Sequence, residues 1–490
     1  MPTPGQLFAA LWKRVEPHQG AILAAPWRGR AAPEFPDLVS RLEAADEVDV
    51  PSEITAYLEM DEISFISDIA SPDERAFILM CALDDAAQRI HPALPQRFAG
   101  VARPIGAMLN AMRAERTQSG TYADVEGSGM VVPKGTLTSA VRPDDIEASG
   151  TNMARHFEWL TLVEPLGQSR RLRILAPSPS KFLLPPERRD QVGLAPIAED
   201  PEDLRFEVSV RGDRAYLDTL EGSAELTPRI HAVVTSLLDD GAGIIVLPEL
   251  VSSASAARSL SELLHSRKGL GTPALIVAGS GPSEDSDPDV GRPYNEASLL
   301  TSDGRLIARQ RKLHLFNMGV ERMKQCGIDR AKGHSQKNHM EDAAPGNELV
   351  ICDLDGLGRT MVLICEDFEQ TVPGGDIAEA LRPDWILSPV LDISQKIGRW
   401  THARAIEVAR KTSSRIVISC STTLGVRHAG KTLLSQVGTP PVYSGLCLDG
   451  SADLKFLTVS AAATTSPQRM LVSWQPENWT KHKTSAADQM

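Results

Sequence analysis

The chain has 490 residues, of which 42% are apolar and 23% charged, and carries a formal net charge of −13. That length exceeds what one hydrophobic core usually organises, so two domains are expected. The acidic balance, without a basic stripe, argues against a nucleic-acid partner. No run approaches the ~18 uninterrupted apolar residues of a membrane span.

The six cysteines, Cys81, Cys326, Cys352, Cys365, Cys420 and Cys447, are too sparse for a disulfide framework and sit mostly in apolar runs. Reduced thiols in a cytoplasm are the natural reading. The opening MPTPGQLFAALWKRVEPHQG is broken by proline and charge, unlike a signal peptide. A soluble cytoplasmic protein with no membrane contact is therefore expected.

Residues 1–118 read as helices joined by proline-rich connections, the first part of a mostly helical accessory domain over 1–150. In SPDERAFILMCALDDAAQRI, Ser71 is placed to cap a helix, Pro72 stands just inside it, and acids fill its first turn. Pro104 marks a break or kink in the next helix. Residues 151–202 read as a hairpin and a linker. The hairpin is FEWLTLVEPLGQSRRLRILAP (157–177), turned at Pro165–Ser169, and a stretch rich in proline and charge follows it.

From 203 to about 475 the pattern becomes strand and helix alternation, and 476–490 reads as a flexible tail. RFEVSV, GIIVLPEL, ALIVAGS, WILSPV and RIVISCSTT are strands. SAELTPRIHAVVTSLLDDG, closed by glycine, ASAARSLSELLHSR and WTHARAIEVARKTSS are helices. EASLLTSDGRLIARQRKLHLF is a hairpin turned at Asp303-Gly304, and ELVICDLDGLGRTMVLICE is a strand pair. Apolar runs of this length without alternation belong to sheets covered by helices. The fold class is α/β with mixed sheets, preceded by the helical domain.

Three of these strands end in groups that can do chemistry together: Glu249, Lys312 and Cys365. Singly, each has a plain reading as a turn carboxylate, a surface cation or a small buried hydrophobe. Jointly they form a working set. A cysteine attacks a carbonyl or nitrile carbon, a glutamate takes its proton and later activates water, and a lysine balances the carboxylates and the oxyanion. The acids Glu366, Asp367 and Glu369 directly after Cys365 disfavour a resting thiolate. The activating partners must then come from elsewhere in the chain.

Over roughly 203–460 these segments resemble the carbon–nitrogen hydrolases of the nitrilase superfamily. GAGIIVLPEL matches the strand bearing the general base. NEASLLTSDGRLIARQRKLHLF matches the hairpin from Asn295 to Lys312. APGNELVICDLDGLGRTMVLICED matches the run into the nucleophile, and RPDWILSPV with WTHARAIEVARKTSSRIVISCSTTLG matches the strand and helix beyond it. The resemblance implies a four-layer α-β-β-α sandwich and a Glu249–Lys312–Cys365 triad that works through a thioester without metal or cofactor. It also implies a second glutamate, for which Glu341 is the candidate and Glu348 and Glu321 are rivals. Self-association into dimers or higher forms is implied too.

The backbone N–H of Glu366 is expected to bind the oxyanion, and Ser388 and Pro389 to line the pocket. Cys-Glu-Asp resembles the glutaminase part of glutamine-dependent NAD synthetases, which favours a small-molecule amide over a nitrile substrate. Two alternatives stand beside hydrolysis. One is acyl transfer to an amine acceptor, and the other a non-enzymatic scaffold or effector in a multi-protein, possibly defence-type, assembly.

Other features carry less. Cys326, His334 and His339, with His314 upstream, lack the paired spacing of a zinc site, so the loop 317–344 is read as a polar lid over the pocket. SSASAARSLSELL has no Gly-x-Ser-x-Gly turn, and GSGPSEDSDPDVG lacks the helix and lysine of a phosphate loop.

Overall fold

The computed structural model describes residues 1–24, 29–59, 71–91, 105–125, 129–135, 153–166, 170–176, 190–221, 226–267, 274–334, 336–354, 356–395, 398–432, 442–448, 454–459, 469–473 and 480–484. The expected kink at Pro104, the turn residues 167–169 and most of the tail lie outside them. The chain folds as two compact units. One is Met1–Ser178 with Asp376–Asp384, and the other is Pro179–Gly375 with Trp385–Met490.

In the first unit the helices are Pro4–Val15, Phe35–Ala44, Pro72–Ala87 and Ala107–Ser119, with shorter turns between them. The Ser71 hydroxyl accepts from Glu74 N and the Glu74 side chain returns to Ser71 N, a full capping box with Pro72 in the first turn. Phe8, Trp12 and Phe77 pack around Phe157, and the Phe8 and Phe157 rings meet edge-on at 5.3 Å. Asp84 is fully buried, takes the N–H groups of Glu158, Trp159 and Leu160, and pairs with Arg30.

The expected hairpin over 157–177 is not one. Leu160–Val163 pairs antiparallel with Gly129–Pro133, in a three-stranded sheet with Ala123–Val125. The pairing partner lies 30 residues upstream, where a short β-branched stretch gives little periodicity to read.

The second unit is the α-β-β-α sandwich. Its first sheet runs in the order Leu306–Arg311, Pro293–Thr301, Leu275–Ser286, Ile244–Val246, Gln191–Leu194, Met470–Ser473, Thr480–Thr484. Helices Leu226–Asp239 and Ala254–Ser266 cover its outer face, where Ile230, Val234, Leu260 and Leu264 share one core with Ile245 and Ile276. The second sheet carries Leu454–Val459, Val442–Leu448, Arg415–Cys420, Trp385–Val390, Gly358–Val362 and Glu348–Leu354 in order. Helix Trp400–Thr412 lies on its outer side. The inner faces meet through bonds such as Ser419 Oγ to Ala195 O at 3.4 Å and Ser421 Oγ to Ala198 O at 2.9 Å.

The Asp303-Gly304 turn forms as expected. Gly304 has φ +81°, and a Cβ there would lie 2.2 Å from Ser261 O, so only glycine closes this hairpin against its covering helix.

The stretch 317–344, expected as an irregular lid, is ordered structure. It holds strand Asn317–Met318, helix Val320–Cys326 and strand His339–Glu341. With the hairpin Leu204–Arg211 and Arg214–Glu221 these strands build a separate four-stranded sheet, in which Glu341 pairs with Leu217. The alternating polarity of RAYLDTLE, left unassigned from the sequence, is the missed signal. Cys326 is a core thiol beside Met323 on the short helix. Among the described residues no group of three or more His, Cys, Asp or Glu side chains could hold a metal ion, and no helix is long and apolar enough to cross a membrane.

Candidate active site

Cys365 follows the inner strand Gly358–Val362 and begins a one-turn helix, Glu366–Glu369. Its φ of 47° and ψ of −104° lie outside the regions an L-residue normally occupies, a conformation that costs about 1–3 kcal/mol and persists only where the surroundings enforce it. Here Cys365 N donates to Pro389 O at 2.9 Å, and Phe368 N closes the turn onto Cys365 O at 2.9 Å. The residue is thus pinned between two inner strands. Leu250, next to Glu249, also has positive φ, at 61°.

Glu249, Lys312 and Glu341 meet in one buried cluster. Lys312 Nζ lies 2.8 Å from Glu249 Oε1 and 2.6 Å from Glu341 Oε2. Asn295 Nδ2 bridges the same two carboxylates, donating to each at 3.0 Å. The remaining acceptor sites are filled by backbone: Leu391 N donates to Glu249 Oε2 and Phe316 N to Glu341 Oε2, both at 3.0 Å. The Cys365 thiol lies beside the Glu249 carboxylate and the Leu391 N–H.

These environments set the proton affinities. Burial pushes the Glu249 pKa up, the Lys312 charge opposes it, and the Glu341 charge adds to it, leaving it above its ordinary value of 4.5. Burial acts in the same sense on Glu341, but the Lys312 charge and the bonds from Lys312, Phe316 N–H and Asn295 bring it below. Lys312 is held firmly protonated: burial works against its charge, and Glu249, Glu341 and Cys365 more than compensate. Burial and the Glu249 charge raise the Cys365 thiol well above 9.0, so at neutral pH it is a thiol with a base beside it. Two carboxylates sharing one lysine are pushed apart in pKa, which separates their roles.

Asp367 answers why an acid follows Cys365 so closely. Its carboxylate is buried and accepts Leu313 N–H at 3.0 Å and His314 N–H at 2.8 Å, with His314 Nδ1 also at 3.0 Å. It clamps the backbone just beyond Lys312 to the turn carrying Cys365. Asp367→Ala is expected to cost about 1–3 kcal/mol for each N–H left without an acceptor, with a smaller loss in Asp367→Asn. Urea unfolding of both variants measures this, and equal losses would remove the clamp from the account.

The remaining expected site residues fall out differently. Glu366 is the first residue of the one-turn helix, its side chain bonded to Gln370 Nε2. Ser388 is buried and donates to Leu363 O at 2.7 Å, while Pro389 contributes its carbonyl to Cys365 N. Neither is among the residues lining the cavity, so both act on the nucleophile's position from behind. Of the rival glutamates, Glu348 starts an inner strand and Glu321 is exposed on the short helix. The cavity itself has a volume of about 400 Å³ including its mouth, and Glu249, Lys312, Glu341 and Cys365 open onto it.

A buried thiol, a carboxylate of raised proton affinity and a charge-balancing lysine thus meet beyond strand ends of a two-sheet sandwich. No family model matches the chain. It is 33% identical to human omega-amidase NIT2 over 102 residues, 19% of this chain and 36% of that protein. To omega-amidase NIT2 of Pongo abelii it is 32% identical over 149 residues, 28% of this chain and 48% of the relative. The chain thus spans about a third to a half of the length of these curated relatives. Among solved structures, Nit3 of Saccharomyces cerevisiae, a nitrilase-superfamily member, aligns with a TM-score of 0.36 at 15% identity, over 59% of this chain and 90% of that one.

Proposed function

We propose that the second unit is a thiol amidohydrolase of the carbon–nitrogen hydrolase superfamily, cleaving a non-peptide amide through an acyl-enzyme on Cys365. The observation that carries this reading is the convergence of Glu249, Lys312 and Glu341 beside the Cys365 thiol. An amide in preference to a nitrile is supported by the curated relatives, which are named omega-amidases.

Cys365 Sγ attacks the carbonyl carbon as Glu249 takes the thiol proton, and an Sγ–C bond forms. The oxyanion meets the Lys312 ammonium and the Glu366 N–H, an unpaired donor at a helix start. Glu249 returns the proton to the nitrogen, the C–N bond breaks, and ammonia or an amine leaves. Water then attacks the thioester while Glu249 accepts its proton. The Sγ–C bond breaks, and Cys365 regains a proton from Glu249. Glu341 holds Lys312 throughout.

Incubation with simple primary amides is expected to release ammonia, with intact mass showing an acyl adduct at Cys365. Absence of both over a broad amide panel would overturn the reading.

The pH profile follows from the same site. Glu249 must be ionised to accept the thiol proton, and its pKa is raised. The acid limb of kcat/KM is therefore expected above the ordinary glutamate value of 4.5, with activity present above the limb and lost as pH falls through it. A limb at or below that value would remove Glu249 as the base.

A further inference from the structure

Resting on the hydrolase reading, the cavity composition narrows the substrate. Apart from the four catalytic-cluster residues, the described lining is apolar throughout: Phe206, Leu217, Phe316, Met318, Leu391 and Leu424, with Leu250 at the cluster's edge. Phe206, Leu217 and Met318 come from the four-stranded sheet and Phe316 from the segment leading into it, and they pack in one small core with Met323 and Ile328.

The cation in the described lining is Lys312, already shared by Glu249 and Glu341 at 2.8 and 2.6 Å. The nearby Arg322 and Arg399 are turned to Asp392, at 3.3 and 2.6 Å. Arg427 donates to the carbonyls of Pro201 and Leu204. With both glutamates ionised, two negative charges and one positive leave the cluster at −1 before any substrate arrives.

A second carboxylate on the acyl group would enter this space without a partner. It would lose its hydration against aromatic and aliphatic walls and be repelled by the cluster. An uncharged hydrocarbon acyl group would displace water from the same walls at a gain.

We infer that the substrate is a primary amide whose acyl group is uncharged and apolar, and that an omega-amide bearing a free carboxylate is rejected. The residues that select it are Phe206, Leu217, Phe316 and Met318, supplied by the extra sheet and the segment leading into it.

The test compares kcat/KM for isovaleramide and hexanamide with that for succinamate. A preference of more than tenfold for the uncharged amides is expected. A ratio below tenfold overturns this inference while leaving the hydrolase reading intact. No ammonia and no Cys365 adduct from either class overturns the hydrolase reading and this inference with it. Calorimetric binding of the same amides to Cys365→Ala reads the preference without turnover, and tighter binding of succinamate there also overturns it. Met318→Arg, confirmed folded by thermal unfolding, is expected to shift the ratio at least tenfold towards succinamate. An unchanged ratio in this variant removes the extra sheet as the selecting element.

Discussion

Replacing Cys365 with alanine is expected to lower kcat/KM for any amide substrate by about 10⁴-fold or more, because removing the nucleophile of a unit removes what the unit does together. Glu249→Gln tests the other half. It keeps the shape and a hydrogen-bonding oxygen but cannot accept a proton, so a loss of about 10²–10⁴-fold is expected. The thiol would stay protonated in this variant, since burial, the largest cause of its raised proton affinity, is unchanged and no base stands beside it. Little acyl adduct should then accumulate. The double variant should be no slower than Cys365→Ala alone, since both residues serve one proton transfer. Additive losses in the double variant would mean that Glu249 and Cys365 act in separate steps. Rates of ammonia release and intact mass after mixing check all three.

Glu249, Lys312 and Cys365 stood out because each follows a strand in sequence, and the runs before Glu249 and Cys365 are strongly apolar. GIIVLPEL, LIARQRKLHLF and MVLICED fold as read, and the sandwich brings their ends together across separations of 63 residues between Glu249 and Lys312 and 54 between Leu313 and Asp367. The resemblance supplied the order of the segments, and distances within hydrogen-bond reach come only with the fold.

What stayed hidden is what depends on pairing between distant, weakly patterned strands. RAYLDTLE pairs with Leu204–Arg211 on one side and with HME on the other, and HME pairs in turn with Asn317–Met318. Asn317–Met318 and HME are too short for a local signal to tell them from a loop, and the alternation of RAYLDTLE does not show its partners. Their consequence is large, since they carry Glu341 and Leu217 to the cavity. The acid at 367 was visible, but its task was not, because its partners are backbone N–H groups at 313 and 314 that have no signature in sequence.

Lys312→Met is expected to damage stability as severely as activity. In the native site Lys312 is 1% exposed and neutralises Glu249 at 2% and Glu341 at 12%. Removing the ammonium while keeping a side chain of similar length leaves two carboxylates together in a dry cluster, which is expected to cost about 3–5 kcal/mol. The variant can relieve part of this by binding a proton on one carboxylate, so its folded-state pKa rises above the unfolded value. Stabilisation from that proton is present at pH below the unfolded pKa and fades as pH climbs through the folded one. The gap in unfolding free energy between wild type and variant should therefore narrow on acidification and widen towards neutrality. Adding Glu341→Gln removes one of the two charges and is expected to recover more than about 1 kcal/mol without restoring turnover, because the oxyanion still lacks its cation. Urea titrations of the three proteins at acidic and neutral pH decide the matter. A gap that does not change with pH, or a double variant no more stable than Lys312→Met, would show that Lys312 does not balance these carboxylates in the folded protein.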